Sequence, residues 1–315
     1  DQAESFIRFA APLVFLTNCT LNTGGEWIKA PAVGLNLRVP EVALTNLECR
    51  MDPQRVGRVL GSNVAEALAP YRFDAPPLTR VDGRIAFPDG QTDPDMVFDL
   101  AGGPFHFWRL HAPEVSGVVR WTGRSLLVTN LSASFHQGRL TAEVRAALDR
   151  QDCTDLQFSG RLLNANLASL AQDLLDRTTQ LEGTVSGTFG VVRGCATDAR
   201  TWDGGGQIEM RDGSLWDLPI FGVFSPVLNA IVPGLGNSKA RAASADFVLR
   251  QGAFETDNLA IEAGPARLQY RGRADLDGKV RAWVEAEILA STPLLGPFIS
   301  LALSPLSKAF EFKVN

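Results

Sequence analysis

Apolar and polar residues alternate along much of the chain. In RLTAEVRAALD, Leu140, Ala142, Val144, Ala146 and Leu148 fall on one side, and Arg139, Thr141, Glu143 and Arg145 on the other. RLQYRGRADLD repeats the pattern with Leu268, Tyr270, Gly272, Ala274 and Leu276 against Arg267, Gln269, Arg271, Arg273 and Asp275. KVRAWVEAEI continues it through Val280, Ala282, Val284, Ala286 and Ile288. Successive strand side chains point to opposite faces, so period two predicts strands with one apolar and one wetted side. Asp277-Gly278 supplies a short hairpin turn, and Asp212-Gly213 is expected to supply another. The expected fold is mainly β, an antiparallel meander with few helices.

An internal repeat supports the meander. Leu126 to Asp149 aligns without a gap to Phe254 to Asp277, each copy reading as a strand ending in Asn-Leu, a turn, and an alternating strand closing in Leu-Asp. Thr45-Asn46-Leu47 echoes the first half. One helix is predicted over 53–69, with Asp52 as N-cap, Pro53 at the first helical position, and Val56, Val59, Leu60, Val64, Ala67 and Leu68 as its apolar stripe. A second, NANLASLAQDLLDR, is capped by Asn164 or Asn166 and turns Leu167, Leu170, Leu174 and Leu175 inward. Each precedes a strand with a central glycine, and their expected task is to cover an open part of the sheet.

Two stretches break the alternation. Ser214 to Gly236 carries one charge, Asp217, and prolines at 219, 226 and 233; Ile288 to Phe310 carries only Lys308, with prolines at 293, 297 and 305. Prolines at that spacing preclude a continuous membrane-crossing helix, because each removes a backbone donor and clashes with the preceding turn. Short helices over Phe221–Ile231 and between Thr292 and Leu306 are expected, as a plug for an apolar cavity or a membrane-surface contact. Phe6 to Leu16 is too short to span a bilayer and reads as a buried strand or short helix.

Composition narrows the function. A net charge of -5 argues against nucleic acid as a partner. The chain has 18 Phe and 6 Trp but 2 Tyr, poor in the Tyr girdles of an outer-membrane barrel. Cys19, Cys49, Cys153 and Cys195 lack zinc-site spacing; two disulfides, Cys19–Cys49 and Cys153–Cys195, suit an oxidising compartment, with four buried thiols as the alternative. His106 and His111 lie five apart, on opposite faces if they share a strand. The acidic run at Asp89, Asp93 and Asp95 reads as a solvated hairpin loop rather than an EF-hand. Ser186 sits one place late for a nucleophile elbow, and neither a P-loop nor a dinucleotide fingerprint occurs. The expectation is a protein without catalysis, cofactor or metal.

The segments around Asp212-Gly213-Ser214-Leu215, Pro219 to Ile231, Phe254 to Ile261, Gly272 to Val280 and Pro305 to Val314 occur in the order seen in AsmA-like proteins. Over Leu156 to Asn315 the chain resembles the C-terminal region of that family, which includes the TamB-related bridge-like lipid-transfer proteins. The resemblance implies an elongated, twisted antiparallel sheet folded into an open trough, with a few short helices covering or capping it. It divides the chain into a β-rich repeat region, 1–150, and a trough region, 151–315, forming one continuous elongated unit. It also implies a non-enzymatic role in the periplasm: shielding phospholipid or other acyl lipid between inner and outer membranes, for envelope and outer-membrane biogenesis. A start at Asp1 and a stop at Asn315 suggest a piece of a longer protein, held to the inner membrane by an N-terminal anchor missing here.

A trough of this kind replaces water around hydrocarbon, worth about 0.8 kcal/mol per methylene, or on the order of 10 kcal/mol per acyl chain. Its candidate lining in the first half is Leu140, Val144 and Leu148. In the second half it is Leu156, Phe158, Ile208, Met210, Phe247 and Leu249, then Leu268, Tyr270, Leu276, Val280, Val284 and Ile288, and finally Phe310 and Phe312. Phe221, Phe224, Leu228 and Ile231, with Leu294, Leu295, Phe298 and Ile299, are candidates for its cap or membrane contact. The competing expectations are an assembly factor that offers an edge strand to outer-membrane proteins, and a structural β-sandwich without ligand.

Overall fold

The computed structural model describes residues 2–60, 62–86, 93–107, 109–148, 153–175, 182–213, 240–263, 266–276, 279–288 and 306–313. Strands make up 76% of it; the sheet is antiparallel, does not close into a barrel, and carries only a few short helices. The chain divides into two compact units, residues 1–135 with 140–155, and residues 136–139 with 156–315. Residues 214–236 of the first Pro-rich segment, residues 289–305 of the second, and all eight cap candidates lie outside the described residues.

Unit 1 opens with β1 (Gln2–Ala10), β2 (Leu13–Thr23), β3 (Glu26–Asn36) and β4 (Glu41–Arg50). Then come α1 (Pro53–Leu60), α2 (Ser62–Leu68), β5 (Tyr71–Phe73), β6 (Leu78–Ala86), β7 (Asp95–Gly102), β8 (Phe105–Phe107) and β9 (Leu110–Ala112). It ends with β10 (Glu114–Thr122), β11 (Ser125–Phe135) and β12 (Gly138–Ala147). The meander runs β1–β2–β3–β4–β6–β7–β10, and β5, β8 and β9 form a separate small sheet. The helical pattern of 53–69 divides into two helices, and Val59 of the expected stripe is 85% exposed. Asp52 does cap the start: its Oδ1 accepts from the Gln54 N–H at 2.9 Å. Buried Glu26 ties that start to β3, accepting from the Asp52 N–H and from Arg55 Nη1.

The reading of Phe6–Leu16 as one buried element does not hold. The segment turns at Ala11-Pro12 into two strands, and every residue of β1 is exposed. Period two is intact in β1, but the side chains on both of its faces are exposed along the whole strand.

Unit 2 contains β13 (Asp155–Asn166), α3 (Leu167–Leu175), β14 (Thr184–Cys195), β15 (Asp198–Gly213) and β16 (Ala240–Arg250). It ends with β17 (Ala253–Ala263), β18 (Ala266–Asp275), β19 (Lys279–Ile288) and β20 (Leu306–Lys313), each strand from β14 onward pairing antiparallel with the next. Asp212-Gly213 makes no hairpin; β15 runs through both, and Gly213 pairs with Ala240. Register aligns Val185, Met210, Ala243, Ile261 and Leu268 in one row across five strands. These residues, with Ala240, Tyr270, Val280, Ala282 and Val284, form one buried cluster. α3 joins it through Leu167 and Ala171, its N-terminus capped by Asn166 Oδ1 accepting from the Ser169 N–H at 2.9 Å.

The repeat is real at the level of elements. β11 and β12 begin at Ser125 and Gly138, β17 and β18 at Ala253 and Ala266, the same 128-residue offset for both strands (253 − 125 = 266 − 138). Its Asn-Leu pairs do not end strands, however. The register shifts between Leu44 and Leu47, at Asn130-Leu131 opposite Gly117, and between Thr256 and Leu259, so each of these Asn residues stands in a β-bulge within a continuing strand. Asn46 and Asn130 adopt left-handed φ of 48° and 53°, which Asn tolerates. Neighbouring side chains clip the bulges: Asp82 Oδ1 accepts from the Asn46 N–H at 2.6 Å, and Asn258 Nδ2 donates to Asp246 Oδ2 at 2.7 Å. Asn164 (φ 51°), one of the two proposed helix caps, is another such bulge, its N–H donating to Ser186 Oγ.

Because Leu268 has no exposed surface, Leu268→Ala should destabilise unit 2 by about 2–5 kcal/mol in urea unfolding. Ile208→Ala, at a residue 43% exposed on the same face, should cost less than about 1 kcal/mol.

Candidate apolar binding face

Beyond the buried cluster, the same face of unit 2 carries a strip of aromatic rings. Phe158 on β13 lies 5.1 Å from Phe189 on β14 and 5.5 Å from Trp202 on β15, centroid to centroid. Phe189 stacks on Phe247 of β16 at 5.9 Å, and Phe247 meets Phe254 of β17 edge-on at 5.8 Å. Cross-strand aromatic pairs at these separations favour offset or edge-to-face contact. The register explains the strip: Phe189 pairs with Gly206, and Gly206 with Phe247, so a glycine sits between two rings. A Cβ on Gly206 would run into the Thr188 carbonyl oxygen and come within 2.9 Å of Phe247 Cζ, so both the close strand approach and the packing of the Phe247 ring leave no room for a side chain there. Trp202 is oriented by its indole N–H, which donates to the Cys195 carbonyl at 2.8 Å.

Phe158, Phe189, Trp202 and Phe247 are half-buried and Phe254 is exposed, at 36%, so the strip is an accessible apolar surface continuous with a packed core. The expected lining residues accordingly divide. Met210, Leu249, Leu268, Tyr270, Val280 and Val284 are buried and offer a guest no surface. Leu156, Phe158 and Phe247 in unit 2, and Leu140, Val144 and Leu148 in unit 1, are half-buried. Ile208 and Leu276 are exposed, and the side chains of Ile288, Phe310 and Phe312 lie outside the description. The sequence reading overlooked Phe189, Trp202 and Phe254. The glycine run 204–206 was the available signal, since consecutive glycines in a strand mark close approach by something bulky.

The opposite face of unit 2 is charged. Arg271 pairs with Glu285 at 2.6 Å, Arg273 with Glu255 and Asp275 at 2.8 Å, and Arg193 with Asp203. A hydrogen bond to Asp275, reinforced by the charges of Asp275 and Glu255, holds the Arg273 guanidinium above its ordinary value. A depression of about 560 Å³ is lined by Arg161, Ser186, Glu209, Arg211, Asp246 and Asn258 together with Leu163, Ile208 and Ala245. On the apolar face, burial raises the Tyr270 phenol far above its usual range.

Cys153 and Cys195 are disulfide-bonded, whereas Cys19 and Cys49 are free thiols, which overturns the expected Cys19–Cys49 bridge. The reason is topological. Cys19 pairs with Ala30 and Cys49 with Ile28 on opposite edges of β3, so one strand separates them. Two strand spacings, about 9.5 Å, exceed the reach of a disulfide. His106 and His111 are not on opposite faces of one strand either: the chain turns between β8 and β9, setting them directly opposite with rings 4.8 Å apart. His106 Nε2 lies 3.0 Å from Asp74 Oδ1. Among the described residues no group of three or more His, Cys, Asp or Glu is arranged to hold a metal ion, and no helix is long and apolar enough to cross a membrane.

Comparison with protein-family models, with curated proteins and with solved structures found no match to this chain.

Burial pushes the Cys49 thiol up to about 11 and raises that of Cys19 by the same cause. At pH 8 a thiol at about 11 is ionised in about one molecule in a thousand. Iodoacetamide should therefore modify Cys19 well before Cys49 in the native protein, and labelling of Cys49 should accelerate steeply as pH rises from 9 towards 11. Mass spectrometry should find Cys153 and Cys195 unmodified without reductant.

Proposed function

We propose that the chain is an AsmA-like, non-enzymatic lipid-transfer protein of the bacterial cell envelope, and that the aromatic strip of unit 2 shields acyl chains. The observation that carries this reading is the partial exposure of Phe158, Phe189, Trp202, Phe247 and Phe254 on an otherwise packed apolar face. A core would bury such rings fully, and a wetted surface would not align five of them across consecutive strands. Partial burial leaves each ring part of the roughly 1.5–3 kcal/mol that full burial supplies, and a hydrocarbon guest is what would recover it. The contact is non-directional, so a chain can slide along the strip without a deep energy well.

The order of sequence elements over Leu156 to Asn315, the amphipathic meander and the disulfide-bonded pair fit a periplasmic setting. Phospholipid is the proposed cargo, with anchoring to the inner membrane through a segment outside this sequence. Capping by the two Pro-rich segments belongs to the same proposal.

Transfer of fluorescent phospholipid between donor and acceptor vesicles tests the reading. The purified chain should accelerate transfer and retain phospholipid detectable by mass spectrometry after gel filtration. Phe247→Asp should reduce transfer at least about tenfold, since it places a charge where a methylene chain would lie. Gln207→Asp, on the wetted face, should leave it unchanged. Transfer no faster than in protein-free controls, with no lipid retained, would overturn the proposal.

A further inference from the structure

The small sheet of unit 1 has two faces of opposite chemistry. Its strands are three residues each, Tyr71–Phe73, Phe105–Phe107 and Leu110–Ala112, and their central residues are Arg72, His106 and His111. Register pairs Arg72 with His106 and His106 with His111, so the three stand in one row across β5, β8 and β9. Alternation sends the flanking residues to the other side. There the rings meet: Tyr71 stacks on Phe107 at 5.0 Å, and Phe73 lies 4.9 Å from Phe105. One face is thus aromatic, and the other is a row of side chains that are cationic or can become so. Arg72 and His111 are exposed and His106 is half-buried, so solvent reaches the row.

Like charges directly across neighbouring strands oppose pairing, so a row of this kind calls for negative charge. Asp74 supplies some of it: its Oδ1 lies 3.0 Å from His106 Nε2, and its own N–H donates to the Pro104 carbonyl. Strands β8 and β9 hold no charged residue besides the two histidines, and β11, which touches β9, holds none at all. Arg109 lies in the turn between β8 and β9. A carboxylate accepts, so Nε2 of His106 carries a hydrogen, and the second proton of the charged ring goes to Nδ1. Arg72 and Asp74 offset each other, which leaves the sign of this face to the two imidazoles. Imidazole characteristically takes its charge at about pH 6.5, so mild acidification turns the face positive.

We infer that Arg72, His106 and His111 form a site for a phosphate group, filled on mild acidification when both imidazoles are charged. Neighbouring strands stand about 4.8 Å apart, a spacing at which the oxygens of one tetrahedral anion reach donors on adjacent strands. The guanidinium offers a fork that matches two phosphate oxygens, and each charged imidazole adds a charge-assisted donor. The phosphate of a lipid headgroup and that of a soluble ester share this chemistry. The site lies in unit 1 and does not rest on the lipid reading, which is carried by unit 2.

The full chain has three histidines, so proton NMR of the imidazoles provides the test, with His136 of unit 2 as internal reference. At about pH 5.5, inorganic phosphate should shift the His106 and His111 signals saturably, with a dissociation constant of millimolar order, and leave His136 unmoved. Sodium chloride of equal ionic strength should not reproduce the shifts. At about pH 8 the affinity should be at least about tenfold lower, although phosphate itself then carries more charge. Arg72→Gln should weaken binding at the lower pH at least about threefold, with circular dichroism unchanged. Pelleting with phosphatidylcholine vesicles, with and without phosphatidic acid, separates the two sources. Retention that needs phosphatidic acid and is lost when His106→Gln and His111→Gln are combined assigns a lipid headgroup; phosphate shifts without such retention assign a soluble ester. The inference is overturned if the shifts do not exceed the chloride control or move His136 equally. It also fails if affinity does not fall towards pH 8, or if Arg72→Gln leaves it unchanged.

Discussion

Fixed antiparallel register is the constraint on which the rest of this structure depends. Side chains on a strand alternate between faces, so a one-residue slip in any pairing would turn an entire strand inside out. From Thr184 to Val191 of β14, and between β15 and β16, the pairing is unshifted, and this places Val185, Met210 and Ala243 in one row and Phe189, Gly206 and Phe247 in another. Where the register does shift, a bulge inserts one residue and the apolar side is recovered beyond it. Leu44 and Leu47 in β4, or Leu162 and Ala165 in β13, lie on one face although three residues apart, because Asn46 and Asn164 take up the extra residue in left-handed backbone. The bulges thus let the sheet bend while preserving its sidedness.

The same rule gives two outcomes on one face of unit 2. Around Leu268 the row is built from aliphatic chains and alanines, and α3 adds Leu167 and Ala171, so the cluster packs closely. Around Phe247 the row is built from rings and glycines, and the rings stay partly exposed. Alanine rows admit a covering element at close range, whereas large rings standing on glycine fill the space above the sheet themselves and present their edges outward. This contrast separates the part of the face that stabilises the fold from the part available to a guest.

Much of this was legible beforehand. Alternation of Leu268 to Leu276 against Arg267 to Asp275 placed the two faces of β18 correctly, and the 128-residue repeat anticipated two hairpins with matching bounds. Caps at Asp52 and Asn166 could be read from local chemistry. The failures share a cause: periodicity reports which side of a strand a residue occupies, not what covers that side. It could not separate buried Leu268 from exposed Ile208, nor foresee that both faces of β1 are open. Topology beyond the hairpin was equally invisible. Cys19 and Cys49 look like a plausible pair in sequence until β3 is inserted between them, and His106 and His111 change relation once the chain turns between them.

The two faces of unit 2 therefore answer to different physics. On the aromatic strip, attraction scales with area removed from water and tolerates sliding, because no single contact defines a position. On the opposite face, Arg271–Glu285 and Arg273–Glu255 fix positions by sign and distance. A surface of the first kind suits a mobile, chemically uniform guest; a surface of the second kind holds the strands in register. A charge placed at Phe247 would weaken hydrocarbon contact without touching those pairs, and the loss of Arg271 would disturb the pairs without changing the strip.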